Sequence, residues 1–381
     1  MTDLSPRLRV DQVGSLLRPQ SLIDAFYSCG EGRISAAALG RMADDAIRAA
    51  VAKQEAIGLP IVTDGEYRRL NWQVSFSDVA GWDLWQGSWK NFLANPRNIY
   101  QDEKPLTRGK DAVKTFAVPA TGKLALRDSF PLREFRFLQS VAKRPGKAML
   151  MGPDRVAQMC DIPGSKPYYD SADAFLADVV RIQGRMVGEL VAAGCGYVQL
   201  DEPSYTGYVD RDTLEGMKAR GEDPMRNLAR AIAASNEVIS PYKGKAVFGI
   251  HICRGNRASM WHREGAYDGI AEALFSTLKF DRLLLEYDTA RAGGFDPLRF
   301  VPKGPVVVLG LITTKTGEIE SVDALVRRIE EAQRFIPVDQ LALSPQCGFA
   351  SGIAGNLLSE DAEWRKLEIM LETARRVWDR E

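Results

Sequence analysis

The chain has 381 residues with 50 acidic and 50 basic side chains, so its formal net charge is zero. This balance provides no broad electrostatic attraction, and we expect neither nucleic acid nor a membrane as a partner. Hydrophobic residues make up 45% and charged residues 26% of the sequence, which is ordinary for a globular protein.

The N-terminal residues and the cysteines indicate a reduced compartment. Residues 1–7 lack the apolar centre of a signal peptide, and no apolar run is long enough to span a bilayer. The five cysteines are odd in number and widely scattered, which argues against a disulfide framework. We therefore expect a cytoplasmic enzyme, and we interpret Cys29, Cys160 and Cys195 as structural.

The first part of the chain reads as two short strands separated by helices. A strand is predicted near Val13, and a helix begins after Pro19. Apolar residues at helical spacing predict a longer helix over 34–57, which ends at a Gly-Leu-Pro turn. The next strand, 61–63, is followed directly by the polar segment 64–69.

Residues 72–140 interrupt this alternation, and we predict an insertion, partly β-hairpin, that folds over a strand end. Four tryptophans cluster early in it, at positions 72, 82, 85 and 89, and proline and glycine punctuate the rest. The aromatic cluster has two open interpretations. It is either a small satellite core or a lid over an active site.

The alternation then resumes and predicts the fold class. Strands are expected near 149, 198, 248, 284, 307 and 341, with helices over 171–193, 222–239, 265–277, 321–335 and 359–379. With the strands near 13 and 61, eight strands alternate with helices, which predicts a single α/β domain over 1–381 that forms a (β/α)8 (TIM) barrel. A doubly wound open sheet is the competing architecture, although no Gly-x-Gly-x-x-Gly turn follows a strand.

Candidate metal ligands lie at the carboxyl ends of these strands, where barrel enzymes place their active sites. His251 and Cys253 are two residues apart in an apolar strand, so their side chains point to the same side. Glu286 and Cys347 end or follow two later strands. Imidazole, thiolate and carboxylate groups are zinc ligands, and the wide spacing favours an enzyme barrel over a zinc finger.

A metal-free interpretation stays open on these residues alone. His251 would then be a core histidine with a backbone partner, and the two cysteines would be small buried hydrophobic residues. Glu66 and Asp201, which also follow strands, would cap helices or pair with nearby arginines. The chain would in that case be a binding protein on a barrel scaffold.

Several short motifs follow one another along nearly the whole chain. They are Val13-Gly14-Ser15, Thr63-Asp64-Gly65-Glu66, Gln199-Leu200-Asp201-Glu202-Pro203, His251-Ile252-Cys253, Glu286 and Cys347-Gly348. In this order they resemble the C-terminal catalytic barrel of cobalamin-independent methionine synthase. Segment 251–256 is closer to the short, single-barrel relatives, which include core methionine synthases and epoxyalkane:coenzyme M transferases.

The resemblance implies a zinc-dependent transfer of a methyl or other alkyl group to a thiol. In the simplest case the acceptor is the thiol of homocysteine, and the product is methionine. The resemblance assigns zinc to the four ligands His251, Cys253, Glu286 and Cys347. It also implies that Glu66 and Asp201 hold the substrate's amino group and act as catalytic residues. Ser15, with its neighbouring backbone, is implied to hold the substrate's carboxylate.

One departure from the family bears on the methyl donor. The synthase carries a catalytic histidine after its seventh strand, whereas the matching segment here, 311–315, contains none. A folate, a methylcorrinoid protein and a small methylated compound are the candidate donors. Thiol addition to a small electrophile, as in epoxyalkane:coenzyme M transferase, is the alternative reaction, with Arg18, Arg68 and Arg69 as possible sulfonate partners.

Overall fold

The computed structural model describes residues 8–82, 105–109 and 117–379, and its centre is a six-stranded parallel sheet. The order of the strands in space follows their order along the chain, as expected when each strand is followed by a helical return across the sheet. The strands are β3 Ala148–Met151, β4 Tyr197–Asp201, β5 Val247–Ile252, β6 Arg282–Glu286, β7 Val306–Ile312 and β8 Leu341–Pro345.

Helices alternate with these strands and agree with most of the predicted bounds. Ser35, Ser171 and Ser359 each accept a hydrogen bond from the amide three residues later, which fixes where three of the long helices begin. The helices are α1 Gln20–Gly30, α2 Ala36–Ile57, α3 Phe130–Val141, α4 Pro153–Ala157, α5 Ala172–Ala192, α6 Arg211–Ala219, α7 Pro224–Ile239, α8 Ala271–Phe275, α9 Val322–Ala332 and α10 Glu360–Trp378.

The helix predicted over 265–277 is much shorter than expected. Gly265 has φ +129°, which no α-helix accommodates, and a 3₁₀ turn over Tyr267–Gly269 precedes α8. At the other end, the hydroxyls of Ser276 and Thr277 donate to carbonyls of the preceding turn. Apolar periodicity alone did not mark these breaks.

The first two predicted strands form isolated parallel bridges and not continuous ladders. Val10 pairs with Leu343 of β8, Ser15 pairs with Gly65, and Val62 pairs with Gly146 just before β3. These bridges occupy the gap between the last and the first strands of the six-stranded sheet.

Side chains replace part of the missing ladder. Gln54 of α2 accepts a hydrogen bond from the Thr63 amide at 3.0 Å and donates to the Thr63 carbonyl at 2.9 Å. The same amide oxygen accepts from the Gln12 side chain at 2.8 Å. Because these backbone groups are satisfied by a side chain, the segment is held in place without a neighbouring strand.

The parallel register brings the carboxyl ends of the strands to one edge. Asp201 at the end of β4 lies beside His251 of β5, and Glu286 at the end of β6 lies beside Gly310 of β7. At the opposite edge, the buried Asp11 carboxylate bonds to Lys147 and Arg282, at 2.8 and 2.9 Å. One edge therefore carries the candidate site residues, and the other carries a buried charge network.

Only part of the predicted insertion lies within the described residues. Within the described residues of this region, β1 Val79–Ala80 pairs antiparallel with β2 Ala125–Leu126. The hairpin stays a prediction, because most of the chain between these two strands lies outside the described residues. Trp82 is buried against Phe175 of α5, with ring centroids 5.4 Å apart, so this tryptophan belongs to a packed core. Trp85 and Trp89 lie outside the described residues. Among the described helices, none is long and apolar enough to cross a membrane.

Candidate metal centre

Three of the four predicted ligands come together. His251 lies near the end of β5, Cys253 follows that strand on the same side, and Cys347 follows β8. One imidazole nitrogen and the two sulfurs all lie within 4.8 Å of one another, and the three residues are buried. Ligand atoms around a tetrahedral zinc are about 3–4 Å apart, so small side-chain adjustments suffice to share one ion.

The histidine of this group is left without partners for its ring. Both ring nitrogens of His251 are buried and have no hydrogen-bond partner among the described residues. The adjacent Cys347 sulfur and burial together raise the pKa of the Cys253 thiol well above its usual value. A buried imidazole without partners is costly, and a divalent cation would satisfy it and favour the thiolates. The donor set therefore fits a zinc ion.

Glu286 lies outside the group of three. Its carboxylate accepts a hydrogen bond from the Arg254 amide at 2.7 Å and another from the Arg291 guanidinium at 2.9 Å. Burial would raise the pKa of Glu286, but the guanidinium groups of Arg254 and Arg291 hold it below its usual value. The pKa therefore favours an ionised Glu286, and both of its oxygens accept hydrogen bonds.

One cavity joins the group to the predicted substrate residues. Ser15, Glu66 and Asp201 line it together with the three metal candidates, and Glu286 does not. The remaining lining residues are Val13, Asn71, Trp72, Gln73, Arg155, Pro203, Arg254, Gly255, Asn256, Arg257, His262, Arg263, Gly348, Ser351 and Gly352. Polar groups therefore surround the open side of the His–Cys–Cys group.

Glu66 presents an unpaired carboxylate oxygen in this cavity. Its Oε1 accepts from Arg69 at 3.1 Å, whereas its buried Oε2 has no partner. Its backbone has φ 58°, a left-handed conformation that follows Gly65 at φ 67° and turns the chain sharply. Burial raises the pKa of Glu66 to about 7, although Arg69 opposes this effect.

Asp201 provides a second acid near the metal candidates. Its Oδ1 accepts from the Gln199 side chain at 2.6 Å. Burial raises the pKa of Asp201, and His251 partly opposes this. The two acids therefore share one cavity. Glu66 has one carboxylate oxygen without a partner, and the Asp201 carboxylate accepts from the neutral Gln199 side chain.

Ser15 packs tightly against the loop that carries Cys347. Its hydroxyl accepts from the Ala350 amide at 3.3 Å, and its carbonyl accepts from Phe349 at 2.9 Å. A Cβ at Gly348 would lie 1.9 Å from the Ser15 hydroxyl oxygen, so only glycine allows this approach.

The arginines that were possible sulfonate partners are engaged elsewhere. Arg18 donates to four backbone carbonyls, at positions 66, 69, 350 and 352. Arg68 pairs with Asp44, and Arg69 bonds to Glu66 and to Glu134. None of the three lines the cavity. Arg155, which follows β3, does line it.

Sequence reasoning missed several residues that support the site. Arg291 holds Glu286, and Asn256 donates to the Gly348 carbonyl at 2.7 Å. Lys315 donates to three oxygens of segment 255–260. Each lies in a loop with no periodic pattern, so no local signal marked them. Arg291 and Asn256 lie within a few residues of a predicted ligand, and Asn256 and Lys315 fall in the segments 251–256 and 311–315 that were compared with the family, but nothing in those segments indicated these contacts.

Comparisons with a family model and with individual proteins indicate the same family. The family model described as the catalytic domain of cobalamin-independent synthase matches residues 118–375. An uncharacterized protein of Bacillus subtilis, YxjH, is 36% identical over 97% of this chain and 94% of its own length. A protein of Pyrococcus abyssi named methionine synthase is 23% identical over 97% of this chain and 93% of its own length.

Solved structures agree. A Listeria monocytogenes protein, described as a putative vitamin-B12 independent methionine synthase, is 29% identical with a TM-score of 0.74, covering 97% of this chain and 98% of its own. A B12-independent methionine synthase from Shewanella shares the fold, with a TM-score of 0.71, 20% identity and 98% coverage of both chains. The chain therefore belongs to the cobalamin-independent methionine synthase family, whose members are methyltransferases that act on a thiol.

Proposed function

We propose that this protein transfers a methyl group to the thiol of homocysteine, with zinc as its resident metal. The observation that carries this proposal is the buried group of His251, Cys253 and Cys347, whose ligand atoms lie within 4.8 Å of one another. The same cavity exposes Glu66 and Asp201 beside that group.

His251, Cys253 and Cys347 would hold the ion, and the negative charge of the surrounding ligands would determine how electron-rich a bound sulfur remains. Bound zinc favours the thiolate form of a coordinated thiol at neutral pH. Two protein thiolates and the nearby carboxylate of Glu286 bring three negative charges to one dication, which keeps a substrate sulfur electron-rich. Hydrolytic zinc sites more often have neutral ligands, so this set favours thiol alkylation over hydrolysis.

We propose Glu286 as the fourth ligand. Its Oε1 accepts from Arg291 at 2.9 Å, and its Oε2 accepts from the Arg254 amide at 2.7 Å. A carboxylate oxygen has two lone pairs, so Oε2 could bind the ion and keep this hydrogen bond. X-ray absorption of the zinc protein would distinguish an oxygen ligand from a site completed by solvent.

Glu66 and Asp201 suit the amino end of an amino-acid thiol. The unpaired Oε2 of Glu66 is a buried acceptor, and an ammonium group would satisfy it. We propose that these two acids bind the ammonium and so orient the thiol toward the metal group. Ser15 and the backbone beside it are proposed to hold the carboxylate.

The unpaired carboxylate oxygen of Glu66 favours homocysteine over coenzyme M, because an ammonium group would satisfy it. Arg18 and Arg69 direct their donors at backbone carbonyls and buried carboxylates, but four other arginines line the cavity: Arg155, Arg254, Arg257 and Arg263. Thiol addition in the manner of epoxyalkane:coenzyme M transferase is therefore the second candidate reaction. For the methyl donor, a folate or a small methylated compound is proposed, and the comparisons give no support for a methylcorrinoid protein.

We further propose that the sheet closes into a (β/α)8 barrel formed by one domain, with the insertion near 72–140 at its rim. The parallel bridges of Val10 with β8, of Ser15 with Gly65 and of Val62 with Gly146 support closure between β8 and β3. The similarity in fold to the methionine synthase structures supports it as well.

Metal analysis and substrate binding test the proposed function. Purified protein should contain close to one zinc per chain, and C347S should lose most of it. Calorimetry of the zinc protein should show binding of homocysteine and much weaker binding of coenzyme M. Product mass after incubation with homocysteine and a panel of methyl donors should reveal methionine. A metal-free wild type, or equal binding of both thiols, would contradict the proposal.

A further inference from the structure

A buried lysine joins the loops at the ends of three strands. Lys315 lies three residues after β7 and is only 3% exposed. Its ammonium donates to the Gly255 carbonyl at 3.1 Å, to the Asn256 side-chain oxygen at 3.0 Å and to the Met260 carbonyl at 3.3 Å. All three acceptors lie in the loop that follows Cys253.

Asn256 extends this connection to the second cysteine. Its amide nitrogen donates to the Gly348 carbonyl at 2.7 Å and to the Ser351 hydroxyl at 3.3 Å. Gly348 directly follows Cys347, whose sulfur lies 4.0 Å from the Ser351 hydroxyl. One side-chain amide therefore spans the two loops that carry the sulfur ligands, and Lys315 fixes the orientation of that amide.

The loop after Cys253 needs such support because its backbone is strained. Gly255 has φ +92°, and Ala258 and Ser259 adopt φ values of 47° and 65°, which non-glycine residues rarely adopt. Conformations of this kind persist only when surrounding contacts over-determine them. The three hydrogen bonds from Lys315 provide such contacts, together with the one that the Ser259 amide donates to the Asn356 side-chain oxygen at 3.0 Å.

The charge of Lys315 points to the same site. Its hydrogen-bond acceptors are neutral oxygens, and burying an ammonium group without a carboxylate partner is costly. An anionic centre nearby offsets this cost. The ionised Glu286 is one such group, because Lys315 is among the cations, after Arg254 and Arg291, that hold the pKa of Glu286 low against burial.

We propose that Lys315 and Asn256 are positioning residues that set the separation of Cys253 and Cys347 and thereby the affinity of the site for its metal. This inference rests on the proposed function, because it concerns the zinc site proposed above. It assigns to the loop after β7 a role in holding the loops that carry Cys253 and Cys347.

The variant Lys315→Met removes the ammonium and keeps a side chain of similar length. We expect its zinc affinity, measured by competition with a chromophoric chelator, to fall about 10- to 100-fold, as for other residues that orient metal ligands. In the cobalt-substituted protein, thiolate-to-cobalt absorption should weaken, because one sulfur is no longer held in place. A purely structural role would leave that absorption unchanged.

Lys366→Met is the matched control. Lys366 is equally buried and donates to Glu320 at 2.9 Å and to the Glu318 carbonyl, so it holds another part of the segment after β7. It makes no hydrogen bond to segment 255–260. We expect it to lower thermal stability while leaving zinc affinity and the cobalt spectrum as in the wild type.

The outcomes separate this inference from the proposed function. A wild type that binds no zinc would overturn both. Two outcomes would overturn only the positioning role. One is that K315M binds zinc as tightly as the wild type does. The other is that K366M loses as much zinc affinity as K315M. If K315M fails to fold, Asn256→Ser provides the second test. It removes the bridge to Gly348, and we expect the same loss of zinc affinity with the same spectral change.

Discussion

At the scale of single residues, Glu66 shows how the fold changes an acid found by sequence. A carboxylate after the second predicted strand was expected in the cavity, and it lines the cavity. Its pairing with Arg69 was foreseen only as an alternative, yet one oxygen pairs with Arg69 and the other is unpaired. Pairing with an arginine therefore describes Oε1, and a binding role in the cavity is left to Oε2.

Glu66→Gln should weaken homocysteine binding and leave zinc content unchanged. The substitution removes the negative charge that faces the ammonium, and a hydrogen bond to a charged group contributes about 1.5–3 kcal/mol, or roughly a 10- to 150-fold change in Kd. Calorimetry of the zinc-loaded variant measures the change.

Glu134→Gln is the control for that variant, since Glu134 is the other carboxylate on Arg69 but does not line the cavity. It should leave homocysteine binding nearly unchanged. Loss of zinc from E66Q, or equal weakening in both variants, would contradict the assigned role of Glu66.

The raised pKa of Glu66 predicts a pH dependence of binding. Burial raises this pKa to about 7, so the carboxylate ionises as the pH rises through 7. An ammonium ligand needs the ionised form, and affinity should therefore increase from pH 6 to pH 8. Methionine is the suitable probe, because it carries the ammonium without a thiol that titrates. E66Q should show a flat profile, and a sloped one would assign the titration to another group.

At the scale of elements, five long helices were predicted to within a few residues, whereas α3, α4 and α6 were not predicted and the first strands were predicted less well. The serines that cap α2, α5 and α10 and the apolar stripes of these helices are local features, readable from the sequence. Near residue 61, by contrast, the Thr63 backbone bonds to the side chain of Gln54 on α2, and the Ile61 carbonyl accepts from the side chain of Gln12. No pattern of hydrophobicity reports such a partner.

Gln54→Leu should destabilise the protein by about 2–4 kcal/mol, since several buried backbone and side-chain groups lose their partners at once. Its amide bonds to Gln12, to both backbone groups of Thr63 and to Ala50. Urea unfolding measures the loss, and hydrogen exchange at Thr63 should accelerate.

Gln183→Leu is the matched control on α5, where the side chain donates only to the Met151 carbonyl at 2.6 Å. It should cost about 1 kcal/mol. An equal cost in the two variants would show that the bonds of Gln54 do not hold the first segments together.

At the scale of the whole molecule, Asp11 links the first segment to the parallel sheet. Its carboxylate bonds to Lys147 before β3, to Tyr197 of β4 and to Arg282 of β6, all within 2.9 Å. The four residues are far apart in sequence and meet at the edge opposite the metal candidates. This network of ion pairs and hydrogen bonds joins the strands at one end of the sheet, and the candidate site lies at the other end.

Asp11→Asn should cost about 3–5 kcal/mol, because it leaves two buried cations without their counter-charge. Burial opposes ionisation, but Lys147 and Arg282 hold the pKa of Asp11 below 3.8 in the folded state. Its contribution is therefore complete at neutral pH and is lost as the pH falls through the folded-state pKa. Thermal unfolding across acidic pH measures this loss.

Asp323→Asn, at the exposed pair with Arg376, is the control and should change stability by less than about 0.5 kcal/mol. Zinc content should be unaffected in D11N. Its loss would mean that the network acts on the site and not only on the sheet.

The sequence by itself determined the alternation of strands and helices and the position of His251, Cys253 and Cys347 at strand ends. These follow from local periodicity and from the rule that parallel strands bring their carboxyl ends to one edge. Only the tertiary structure decided which atoms are left without partners. It placed Glu286 against Arg291, and Lys315 against the loop that follows Cys253. Hydrogen bonds between distant loops depend on where the whole chain packs, and no local pattern encodes them.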